Sequence, residues 1–166
     1  MPALRGGRKV NIPGPTTFAL WPGQMAQVIQ GHHLRQDEYL IARVYNESAA
    51  KRSFSQAPVE PEASISTVAP EHFTPGHLFI IKGTEDSFYI PPTGIEVVRD
   101  PASPKSKPLY VRSAVSLERL EYCVLLDESG NKRYVRGPAV VFPEPTETFV
   151  TRGGYAKFRA IELNEL

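Results

Sequence analysis

Leu120-Glu-Tyr-Cys-Val-Leu-Leu-Asp-Glu-Ser-Gly-Asn-Lys-Arg-Tyr-Val135 decides the fold class. Two runs rich in β-branched and aromatic residues flank Asp127-Glu-Ser-Gly-Asn131, where Gly130 and Asn131 tolerate the positive φ of a tight reversal. The stretch reads as a β-hairpin. On its first arm Tyr122, Val124 and Leu126 share one face and Cys123 and Leu125 the other, so the strand is apolar on both faces. Such a strand is buried on both sides, or covered on one side by a neighbouring module.

Working outward, the same pattern of short runs recurs along the chain. Candidate strands are 17–20, 25–30, 38–45, 77–82, 87–90, 95–98, 109–114, 120–127, 132–136, 139–142, 147–151 and 156–163. Prolines fall at the ends of these runs, as at Pro13, Pro15, Pro22, Pro91, Pro92, Pro138, Pro143 and Pro145, and punctuate strands instead of breaking helices. Ser48 to Gly76 and Arg99 to Pro108 are poor in large apolar residues and read as long exposed loops. Val115 to Arg119 fits one helical turn, and nothing longer has helical periodicity. The expectation is an all-β chain of tandem small antiparallel β-hairpin or barrel-like repeat modules with little helix. Its parts are a tail at 1–13, a first module at 14–98 with the loop at 48–76, a linker at 99–108, a second module at 109–151, and the start of a further repeat at 152–166.

A chain of 166 residues with a 41% hydrophobic fraction can bury a real core. Its 19 basic and 18 acidic residues are interspersed, which leaves no broad positive field to gather nucleic acid. The single cysteine, Cys123, lies inside the apolar run and reads as a small core hydrophobe in a reducing compartment. Behind Arg5, Arg8 and Lys9 no apolar segment follows, and no run is long enough to span a bilayer, so neither export by such a signal nor a membrane span is expected.

Self-comparison shows an ordered recurrence. Gly14-Pro15, an apolar stretch and Pro22 return as Gly137-Pro138, an apolar stretch and Pro145. Leu40 to Glu47 also aligns with Phe158 to Glu165, sharing Ala42/Ala160, Asn46/Asn164 and Glu47/Glu165. On this alignment residues 48–136 have no second counterpart, so the chain is a repeat array cut out of phase, either a fragment or completed by a neighbour. Units of two or three short strands gain stability by stacking on copies of themselves.

The stretch from Leu117 through the hairpin to Gly137-Pro138 and on to Glu147 resembles the repeat of the major vault protein family. In that family a strand, an Asp-x-x-x-Asn turn and a second strand lead into Gly-Pro and an aromatic-Pro strand. Tyr89 to Val98 and Gly14 to Gly23 are similar to neighbouring parts of such repeats. The resemblance implies the wall of a large homo-oligomeric particle, without catalysis in the repeats. The chain departs from the family at residues 48–76 and at His32-His33, which points to a vault-like particle protein of bacterial or viral kind.

Catalytic and metal-binding patterns are missing from the sequence. Adjacent His32 and His33 face opposite sides of a strand, while His72 and His77 flank the Pro75-Gly76 turn, and no Cys-x-x-Cys or His-Glu-x-x-His occurs. No Gly-x-Ser-x-Gly is present, and Gly6-Gly7 and Gly153-Gly154 precede no helix pattern that could cradle a phosphate. Asp37-Glu38, Glu85-Asp86 and Asp127-Glu128 lie at turns, where solvation leaves carboxylates ordinary. No catalytic residue, cofactor, metal or small-molecule substrate is expected.

Large aromatics remain as the candidates for protein contact: Trp21, Tyr39, Tyr45, Tyr155 and Phe158. Packing inside or between modules is the ordinary role for Trp21, and an interface anchor the alternative. The expected partners are further copies or neighbouring structural subunits of a particle assembled in the cytoplasm, with no specific nucleic acid and no membrane. The competing expectation is a monomeric adaptor that recognises a partner protein through the 48–76 loop.

Overall fold

The computed structural model describes residues 12, 15–28, 31–55, 68–107 and 109–160. Short antiparallel strands dominate them, and the only helix among them is α1 (Glu47–Ser55), so the fold is all-β in class. The first half holds β1 (His32–His33), β2 (Glu38–Val44), β3 (Leu78–Lys82), β4 (Phe88–Tyr89), β5 (Ile95–Val97) and β6 (Arg112–Ser113). The second holds β7 (Val115–Leu117), β8 (Glu121–Leu126), β9 (Lys132–Arg136), β10 (Ala139–Val141), β11 (Thr148–Phe149) and β12 (Lys157–Arg159).

The strand β2 organises the first half. Alternate residues Leu40, Ala42 and Val44 are wholly buried and pack with Ile81, Tyr89 and Ile95 in one core. Tyr39 and Ile41, on the opposite face, are buried as well. β3 pairs along one edge of β2, while β5 and β6 share the other. The strand β8 holds the same place in the second half, with β9 on one edge and β11 and β12 sharing the other. Its Cys123 and Leu125 enter a smaller core with Leu117 and Val141.

The two halves coincide in register as well as in order. Glu38 N donates to Arg35 O at 3.0 Å, and Glu121 N to Glu118 O at 3.1 Å. Each Glu carboxylate reaches back to accept the N–H of that same turn residue, Arg35 at 2.9 Å and Glu118 at 2.8 Å. Gly83 N donates to Glu38 O and Gly137 N to Glu121 O, both at 2.8 Å. Val98 N reaches Ile41 O and Val150 N reaches Val124 O, again at 2.8 Å, while Ala114 N to Asp37 O and Ala160 N to Leu120 O are both 2.7 Å. Beside each larger sheet lies a separate two-stranded ladder. One sets His32 opposite Tyr89, and the other sets Val115 opposite Val141.

Gly83 and Gly137 explain how the chain turns from the hairpin into those ladders. A Cβ on Gly83 would stand 1.7 Å from Arg35 O, and one on Gly137 would stand 2.1 Å from Glu118 O. Only glycine allows backbone to approach backbone so closely.

Several expectations from the sequence need correction. The stretch from Ser48 onward opens with α1 instead of a loop, because Asn46 Oδ1 caps it by accepting the Ala49 N–H at 3.0 Å. Ala50 then packs fully buried, and Phe54 meets Phe73 at 5.8 Å between ring centroids. Val115–Leu117 forms β7, not a helical turn, because it pairs with β10 and buries Leu117. Residues 17–20 and 25–28 form no strand, and 29–30 lie outside the described residues. Residues 99–107 do form an irregular and mostly exposed loop, as expected, pinned at its start where Arg99 Nη2 donates to Ser103 O at 2.8 Å and Nε to Ser103 Oγ at 2.9 Å, and 108 lies outside the described residues. Finally, β2 corresponds in position to β8. The expected match of 40–47 with 158–165 instead sets a central strand against the end of β12, which among the described residues pairs only with β8, and 161–165 lie outside them.

Candidate interaction surface

The five aromatic candidates separate by burial. Tyr39 is 5% exposed, and its ring meets Phe142 edge-on at 6.1 Å, so it packs the junction between the two halves and is not available to a partner. Lys82 Nζ stands 5.8 Å over the same Phe142 ring. Tyr45 is half-buried, and its hydroxyl accepts the Gly94 N–H at 3.1 Å, which fastens the end of β2 to the loop before β5. Phe158 is half-buried against Tyr122, with ring centroids 5.5 Å apart. Trp21 and Tyr155 remain exposed, at 74% and 73%.

Trp21 does not stand alone. Every described residue from 15 to 28 is exposed, and Phe18, Leu20, Met25 and Val28 lie on this segment with it. A short turn shapes it locally: Gln24 N donates to Trp21 O at 3.0 Å, Trp21 N donates to Gln24 Oε1 at 2.9 Å, and Gly23 takes φ +86°. Sequence reasoning singled out Trp21 but assigned its neighbours to strands. The signal for an exposed row was the dense prolines at Pro13, Pro15 and Pro22, which remove the N–H donors a central strand needs. Tyr155 sits on a separate turn closed by mutual backbone bonds with Arg152, with Gly153 and Gly154 both at positive φ.

The concave features are shallow. A groove of about 480 Å³ lies beside the start of α1, lined by Tyr45, Asn46, Glu47, Ser48, Lys51 and Pro75. A second, of about 300 Å³, runs where β3 faces β9 and β10, with Ile80, Lys82, Arg133 and Val135 among its walls. Among the described residues no three His, Cys, Asp or Glu side chains converge as metal ligands. His72 and His77 do meet, with ring centroids 5.4 Å apart. His32 packs on Tyr110, and burial lowers its pKa. The Cys123 thiol is free and buried, and burial pushes its pKa up, away from the reactive thiolate.

No described helix is long and apolar enough to cross a membrane. No known family model matches the chain. No curated protein matches it either.

Proposed function

We propose that this chain is a structural subunit or repeat module of a large homo-oligomeric assembly, a vault-like shell or a virion component, and that it performs no catalysis. The observation that carries the reading is the exposed row Phe18, Leu20, Trp21, Met25 and Val28, in which Met25 is 96% and Val28 89% exposed. Large apolar side chains clustered on one segment and left in water favour a protein contact, because covering them gains roughly 25 cal/mol for each Å² removed from solvent. The matched registers of the two halves support the rest, since small β units of one plan are the building blocks of arrays.

Light scattering on the purified chain over a wide concentration range tests the reading. Discrete oligomers that shrink with Trp21→Ala are expected. Trp21 is exposed in the single chain, so its loss leaves the fold intact. A strict monomer at every concentration overturns the proposal. It would favour a monomeric binding module that uses the α1 segment, where the groove along Tyr45 to Lys51 offers a partner site.

A further inference from the structure

The two halves join where one side chain of the second is seated on a sheet face of the first. Residues opposite each other in a ladder share a face, so Tyr39, Ile41, Ile80 and Lys82 lie on one side of the first sheet. Phe142, the residue after β10, is set on that side. Its ring stands 6.1 Å from the Tyr39 ring and 5.8 Å from Lys82 Nζ, and it lines one groove with Ile80. Tyr39 and Ile41 are left 5% and 3% exposed.

Both partners in this join have a counterpart that is far more open to water. Ile41 O accepts from Val98 N as Val124 O accepts from Val150 N, so Tyr122, Val124, Tyr134 and Arg136 on the second sheet answer to Tyr39, Ile41, Ile80 and Lys82 on the first. Tyr134, in the place of Ile80, is 64% exposed. Tyr89 and Val141 hold one position in the two-stranded ladders, so Ile90, followed by Pro91, answers to Phe142, followed by Pro143. The two prolines are both buried, whereas Ile90 is 43% exposed.

The open face and the open side chain also match in size. Inside the chain an aliphatic residue on the face, Ile80, lies beside an aromatic one on the incoming segment, Phe142. The open counterparts are an aromatic residue on the face, Tyr134, and an aliphatic one on the segment, Ile90. Bulk is exchanged between the two sides and its sum is kept, as close packing across a join requires. Pairing like with like, Tyr134 on Tyr134 or Ile90 on Ile90, loses that match.

We propose that a second copy of this chain seats its Ile90 on the Tyr122 and Tyr134 face of the first, repeating between copies the contact that Phe142 makes on Tyr39 within one. The two surfaces are different, and each copy offers one of each. The contact therefore runs from head to tail, and either closes into a ring or continues as a filament.

Self-association is the premise, and the Trp21 row is a separate surface, so every test chain carries Trp21→Ala and the wild type is measured beside it by light scattering. The Trp21→Ala chain is expected to gain mass with concentration. Adding Ile90→Asp, which spoils the segment, or Tyr134→Asp, which spoils the face, is expected to hold it at the 18.4 kDa monomer mass. Mixed in equal amounts, these two variants are expected to give a complex of twice that mass and nothing larger, since one intact face meets one intact segment. Unchanged urea midpoints check that the variants fold, and Ile90→Ala takes the place of Ile90→Asp if the charge lowers its midpoint. Variants that associate as well as their parent overturn the proposal and leave self-assembly standing. So does a mixture that stays monomeric, or a Trp21→Ala chain that is monomeric beside an oligomeric wild type. A monomeric wild type overturns both.

Discussion

Replacing Gly137 by alanine tests the close approach on which both halves turn. The added Cβ would lie 2.1 Å from Glu118 O and 2.9 Å from the Leu117 Cβ, well inside the roughly 3.5 Å at which such contacts become favourable. Backbone cannot rotate away as a side chain can, so either the strand after Arg136 or the Glu118 turn must move by about 1 Å. Overpacking of this kind costs about 1 to 3 kcal/mol, and the move strains the 2.8 Å bond from Gly137 N to Glu121 O, which contributes about 1 kcal/mol more. The sum is about 3 kcal/mol, a large share of the stability of a small domain. Equilibrium urea unfolding followed by tyrosine and tryptophan fluorescence reads it as a lower midpoint at constant slope. Gly130→Ala is the control, since its Cβ would meet nothing within 4 Å and only the φ of +83° opposes it, at about 1 kcal/mol. Gly83→Ala, with 1.7 Å to Arg35 O, is expected to match Gly137→Ala or exceed it. The reasoning is refuted if Gly137→Ala unfolds within 1 kcal/mol of the parent, or is no worse than Gly130→Ala.

Three further outcomes follow from the same structure. Tyr89 is wholly buried, and its hydroxyl has no hydrogen-bond partner among the described residues, so Tyr89→Phe is expected to hold or raise stability by up to about 1 kcal/mol; a loss above that in thermal unfolding refutes it. The Glu147 carboxyl sits below its ordinary pKa because Arg133 donates to it, Nε to Oε1 at 2.9 Å, and the Glu144 N–H adds a bond at 2.8 Å. The unfolded chain therefore takes up that proton first. This share of stability is full above the ordinary carboxylate range and disappears as pH falls through the lowered value, and Glu147→Gln should flatten the acid limb of a stability-versus-pH curve. Leu120 carries φ +67° on a β-carbon, so Leu120→Asn, a residue at ease in that conformation, is expected to raise the unfolding midpoint by the equivalent of about 0.5 to 1 kcal/mol.

What the sequence disclosed depended on how local the pairing is. The β8–β9 hairpin was legible because Asp127 and Asn131 sit beside each other: the carboxylate accepts the Asn131 N–H at 2.8 Å and its side-chain amide at 2.9 Å, and Gly130 takes the positive φ. The equivalent β2–β3 hairpin was split by α1 and the segment after it, so the strands looked like separate runs. The clue that ties the halves together is short, Leu34 with Glu38-Tyr39 against Leu117 with Glu121-Tyr122, and the Gly-Pro landmarks outweighed it. The helix was missed because its buried face is mostly Ala49 and Ala50, small residues that give little hydrophobic periodicity. Of the five aromatics singled out from the sequence, Trp21 and Tyr155 are the exposed ones. The burial of Tyr39 could not be read there, because it depends on Phe142 arriving from the other half.

The two hairpins also differ in what their tips carry. Five residues, 127–131, close the one, while the other accommodates everything from 45 to 77 and still places Arg43 opposite Leu78. Lengthening a connection on that scale costs only about 2 kcal/mol of closure entropy, and α1 offsets some of it by seating Ala50 against Gly94. The tip is therefore a port where sequence can be added without disturbing the ladders. A peptide or compact domain whose two ends lie together, inserted between Glu128 and Ser129, should leave β8 and β9 in register, making the chain a scaffold for displaying cargo.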